Sequence, residues 1–78
     1  MPHIAIKMLE GRTEEQKRRA ADALKDALCK SLGCGEAYVT VTVEDFDARA
    51  WQDVFARDIT AKNECLYVKP KYDPKSLL

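Results

Sequence analysis

Apolar and polar residues alternate from His3 to Leu9, with Ile4, Ile6 and Met8 on one side and His3, Ala5 and Lys7 on the other. A period of two predicts a strand with one face against a core. The period then changes. Ala20, Ala21, Leu24, Ala27, Leu28 and Leu32 recur at three- and four-residue spacing and form one stripe along a helix. Thr13-Glu14-Glu15-Gln16 marks its start as a capping box, with Thr13 as N-cap and Gln16 reaching back. Gly33 stops it, so the pattern predicts a helix from about Glu14 to Leu32. Glu14 and Glu15 suit the positive end of the helix dipole and precede Arg18 and Arg19 by four residues, the favourable order for ion pairs.

Tyr38-Val39-Thr40-Val41-Thr42-Val43 is β-branched almost throughout and predicts a second strand. Strand, long helix, strand implies a parallel pair joined by a crossover. Asp45 and Asp47 each offer an N-cap. Trp51, Val54, Phe55 and Ile59 then mark a second, shorter helix from about Ala48 to Lys62. Cys65-Leu66-Tyr67-Val68 suggests a short C-terminal strand ended by Pro70. The expected fold is therefore α+β: a β-α-β unit, a second helix and a short last strand. Two parallel strands are too few for a stable sheet, so the sheet is expected to be completed by oligomerisation.

Composition narrows the class. With 78 residues the chain is expected to be a single domain over 1–78, and a domain of that size is marginal on its own. Three cysteines without a C-x-x-C pair give neither a disulfide framework nor a zinc site. Cys29 falls in the helical pattern as a small hydrophobe, and a cytoplasmic, reducing setting fits best. Thirteen basic residues balance thirteen acidic ones, which argues against a nucleic-acid partner. No apolar run approaches the length of a membrane span, so no membrane partner is expected.

The candidate chemistry lies at the start. Once Met1 is removed, Pro2 would present a free secondary amine fixed at the head of a strand. A nitrogen base on a rigid element suits proton transfer. Pro2, the alternating strand and the run Leu9-Glu10-Gly11-Arg12-Thr13-Glu14-Glu15-Gln16-Lys17 together resemble the 4-oxalocrotonate tautomerase family. The likeness covers roughly the first fifty residues. Ala50-Trp51-Gln52 and the ending Lys69-Pro70-Lys71-Tyr72 look more like its longer bacterial branch (the PptA/YdcE type). The resemblance implies a cofactor-independent isomerase, dimeric in the longer branch and hexameric in the short one. It also implies a small enol or keto acid as substrate. Pro2 would be the general base, Arg12 the carboxylate ligand, and Trp51 an aromatic wall near the proline. An apolar site and a nearby guanidinium would both favour the neutral amine.

One departure narrows the substrate. Short-branch enzymes carry a second arginine where this chain has Thr40. A dicarboxylate is thereby disfavoured, and a monoacid with an aromatic or apolar body fits Trp51, Phe46 and Tyr38 better. The rivals are a haloacrylate hydratase or dehalogenase, with Glu44 placed to activate water only by its position along the strand, and a non-catalytic oligomeric module. His3 in a first strand is more simply structural, and Lys17-Arg18-Arg19 a solvated helix face.

Overall fold

Parallel pairing of β1 (His3–Leu9) with β2 (Thr40–Phe46) forms the spine of the molecule, a computed structural model that describes residues 1–78. The crossover is α1, Glu14–Leu32. Its bounds follow from local chemistry: the Gln16 amide donates to Thr13 Oγ1 at 3.1 Å, and the Thr13 amide donates back to Gln16 Oε1 at 2.9 Å. A cap of this kind contributes about 1 kcal/mol. At the other end Gly33 takes φ 67° and its amide reaches the Cys29 carbonyl, a left-handed cap that a Cβ would strain. Of the two glutamate pairs expected, Glu15 meets Arg19 at 3.2 Å, whereas Glu14 turns to Lys17 at 3.6 Å. Lys17 also holds Asp45 and so ties α1 to the end of β2.

β2 begins and ends later than its β-branched run suggests. Tyr38 lies in a 3-10 turn, Glu36–Tyr38, and pairing starts where β1 offers a partner, with His3 opposite Thr40. It continues through Asp45 and Phe46, opposite Met8 and Leu9. The ladder, not propensity, sets the strand ends. Asp47 then caps α2, Ala48–Val54, by accepting the Ala50 amide at 2.7 Å. The expected second helix runs on as a wider π-type turn over Phe55–Thr60, closed by the Ala61 amide on the Ala56 carbonyl. The expected strand at Cys65–Val68 is absent. Asn63–Cys65 is a 3-10 turn, and Tyr67 and Val68 are 96% and 85% exposed. A strand needs a backbone partner, and these residues pair with neither β1 nor β2, whose ladder joins only the two of them. A last 3-10 turn, Pro74–Leu77, returns the C-terminus to α2.

The period of two in β1 divides the layers. Ile4 lies beside Leu24 and Leu28 of α1, and Ala5 and Lys7 beside Trp51 and Val54 of α2. Only Trp51 and Val54 are buried. Half of the α1 stripe stays open, Leu24 and Leu32 being 44% and 63% exposed. The molecule is a slab of 39 × 32 × 17 Å with a radius of gyration of 13.9 Å, against about 11.5 Å for a compact chain of this length. Its surface of 6226 Å² exceeds by about 1,400 Å² that of a typical folded monomer of its mass. No helix is long and apolar enough to cross a membrane.

Candidate active site

β1 delivers Pro2 and Arg12 to opposite ends of the sheet. Pro2 precedes its first residue, and the Pro2 carbonyl accepts the Thr40 amide at 3.2 Å, so the proline is held by the ladder rather than on a loose tail. Met1, 97% exposed, has no packing role. Arg12 follows the last residue of β1. The Glu10 amide still bonds the Phe46 carbonyl, Gly11 turns the chain at φ 122°, and Arg12 is released beyond it. Six residue steps at about 3.3 Å put the two ends of β1 about 20 Å apart. Within one chain, Pro2 and Arg12 do not meet.

Arg12 and Trp51 do meet. They line one open cavity of about 340 Å³ together with Lys7, Leu9, Tyr72 and Leu77. The Arg12 guanidinium has no carboxylate partner, only a long 3.4 Å contact to the Leu9 carbonyl. An exposed, unpaired planar fork at the mouth of an apolar recess can bind a carboxylate through two parallel hydrogen bonds. Lys7 cannot serve in the same way while its ammonium is held by Asp58 at 2.5 Å. Phe46 of β2 sets its ring edge-on to Trp51, the centroids 6.4 Å apart.

Trp51 is buried and its indole N–H donates to the Tyr72 hydroxyl at 3.0 Å. The Tyr72 ring also stands edge-on to Phe55, 5.6 Å away. Tyr72 was visible in the sequence only as part of the Lys-Pro-x-Tyr ending, and nothing local signals that it reaches a residue 21 positions earlier. Tyr38 lies in its turn before β2, outside this cavity.

At the Pro2 end the ladder sets a histidine beside two threonines. His3 Nδ1 is hydrogen-bonded to Thr40 Oγ1 at 2.7 Å, and His3 Nε2 lies 3.5 Å from Thr42 Oγ1. Thr40 is thus engaged by the imidazole and supplies no cation. Glu44 stands opposite Lys7 in the register, four residues along β2 from Thr40, and is not near the proline.

The Lys7–Asp58 pair adds a pH dependence. The hydrogen bond from Lys7 holds the Asp58 carboxyl below its ordinary 3.8, and the same bond raises Lys7 above 10.5. A carboxyl with a lowered folded value stabilises the fold fully above its ordinary value, and that contribution is lost as pH falls through the lowered one. Lys7 contributes below its ordinary value and loses that contribution as pH rises through the raised one. Thermal unfolding followed from about pH 5 downwards should therefore fall less steeply in Asp58→Asn than in the parent. Parallel curves would show that the pair contributes nothing.

The family model described as tautomerase enzyme matches residues 2–53. A "Probable tautomerase" of Xylella fastidiosa (strain 9a5c) is 38% identical over 73 residues, 92% of this chain and 89% of its own. "Tautomerase PptA" of Escherichia coli O127:H6 (strain E2348/69 / EPEC) is 27% identical over 73 residues, 92% of this chain and 97% of its own. Among solved structures, TomN, described as a 4-oxalocrotonate tautomerase homologue in the tomaymycin biosynthetic pathway, superposes with a TM-score of 0.62. It has 32% identity and covers 64% of this chain and 77% of its own.

Proposed function

The chain belongs to the tautomerase enzyme family and is an isomerase, and from that premise we propose that it interconverts the enol and keto forms of a 2-keto monoacid with an aryl or apolar body. Pro2, freed by loss of Met1, is the base. Its nitrogen takes the proton from the enol oxygen and returns it to carbon. Arg12 holds the carboxylate, and Trp51 walls the apolar body off from water. The observation that carries this reading is the unpaired Arg12 guanidinium opening into the same cavity as Trp51.

The reading requires a second copy, because about 20 Å of β1 separates base from anion ligand. Pro2 of one chain and Arg12 of another are brought together in an assembly, each chain contributing one domain over residues 1–78. The surplus surface supports this: about 1,400 Å² from each of two chains falls in the range of obligate dimers. The open apolar residues Leu24 and Leu32 supply part of it.

Substrate choice tests the proposal. One unpaired guanidinium, with Thr40 where a second arginine would stand, suits one carboxylate. An aryl monoacid enol such as that of phenylpyruvate should then be ketonised with a kcat/KM at least about tenfold above that of a dicarboxylate such as 2-hydroxymuconate, since an unpaired buried carboxylate costs upwards of about 1.4 kcal/mol. A dicarboxylate preferred over the monoacid would overturn it.

A further inference from the structure

Trp51 and Tyr72 form a donor pair whose direction is fixed by chemistry. An indole nitrogen can only donate, so in the 3.0 Å contact the Tyr72 oxygen must accept. The phenolic proton is then excluded from that bond and has no acceptor elsewhere in the chain. The ring cannot swing freely, being set edge-on against Phe55, and Tyr72 lines the same cavity as Arg12. A phenol whose oxygen already accepts a hydrogen bond is a stronger donor through its own O–H. The cavity therefore holds one unpaired guanidinium, Lys7 being engaged by Asp58, and one neutral O–H donor.

We propose that Tyr72 is a catalytic residue, donating its O–H hydrogen bond to the 2-oxygen of the 2-keto acid whose carboxylate Arg12 holds. The assignment rests on the tautomerase reading given above. It fills the gap left at Thr40, which the imidazole of His3 occupies at the other end of the sheet. A neutral donor matches a ketone or enol oxygen, where a second arginine would match a second carboxylate. The proton balance is simple. The enol O–H proton passes to the Pro2 nitrogen, negative charge develops on the 2-oxygen, and the same proton is delivered from Pro2 to the adjacent carbon. Tyr72 keeps its proton throughout. Its hydrogen bond strengthens as the oxygen becomes anionic, so it acts on the transition state more than on the bound substrate.

Tyr72→Phe leaves the ring but removes the O–H donor together with the acceptor of the Trp51 N–H, so phenylpropionate binding is measured beside turnover to report any change in the cavity itself. With phenylpyruvate enol as substrate, kcat should fall about tenfold while KM changes less than about twofold. This is smaller than the loss of a fully enclosed oxyanion donor, because Tyr72 is 43% exposed. Phenylpropionate, which has the carboxylate and aryl body but lacks the 2-oxygen, should inhibit Tyr72→Phe and the parent equally. An unchanged kcat, or an equal loss of phenylpropionate binding, would overturn the assignment, the second by showing that the phenol only shapes the cavity. Pro2→Ala is assayed alongside. If it is as active as the parent, the proline mechanism fails; if it is impaired while Tyr72→Phe is not, only the role of Tyr72 fails.

Discussion

Pro2→Ala should turn over an enolisable 2-keto acid about a hundredfold more slowly than the parent, at the lower end of the range for loss of a general base. The loss is not total because alanine still leaves an α-amine, with a pKa of about 7.7–8.0, at the same place. What is lost is the rigid secondary amine, whose position the ladder bond from the Thr40 amide maintains. Retained Met1 should be more damaging than the substitution, since Pro2 is then an amide nitrogen without a basic lone pair. Specific activity should accordingly rise in proportion to the fraction of chains lacking Met1, measured by intact mass. Full turnover by Met1-bearing protein would exclude the proline nitrogen as the base, whatever the substrate.

Mixing should restore activity to two inactive variants. Arg12→Ala is expected to lose roughly 10- to 150-fold in kcat/KM, the worth of hydrogen bonds to a charged group, while Pro2→Ala fails for the reason above. If each site draws its proline from one chain and its arginine from another, subunits exchanged between the two variants create some sites with both residues intact. For a two-fold pair reassorting at random, half of the dimers are mixed and each holds one intact site, giving about a quarter of parental activity. The assay is ketonisation after co-refolding, against each variant refolded alone. A mixture no more active than its components would place both groups of each site on the same chain, in conflict with a β1 that holds them about 20 Å apart.

These two experiments bear on the part of the site that the sequence left open. Pro2 and Arg12 are ten positions apart in one conspicuous run, which makes them look like neighbours. An intervening strand makes them distant instead, because extended backbone gains about 3.3 Å with every residue. Arg12 and Trp51 are 39 positions apart and share a cavity, because parallel pairing sets Leu9 opposite Phe46 and Asp47 starts α2 immediately after it. Thr40 was legible as a departure from the second arginine, but its bond to His3 follows only from the register that places the two side by side.

Local chemistry was sufficient for much of the fold. Thr13 and Gln16, Gly33, and the alternation in β1 act through neighbours a few residues away, and such short-range signals were enough to specify α1, the presence of both strands and the resemblance to one family. The boundaries of β2, the loss of a strand at Cys65–Val68 and the pairing of Tyr72 with Trp51 were decided by tertiary structure alone. Each depends on a partner far along the chain. A β-branched run becomes a strand only where another backbone offers matching N–H and C=O groups, and a phenol oxygen is committed as an acceptor only where folding brings an indole N–H to it.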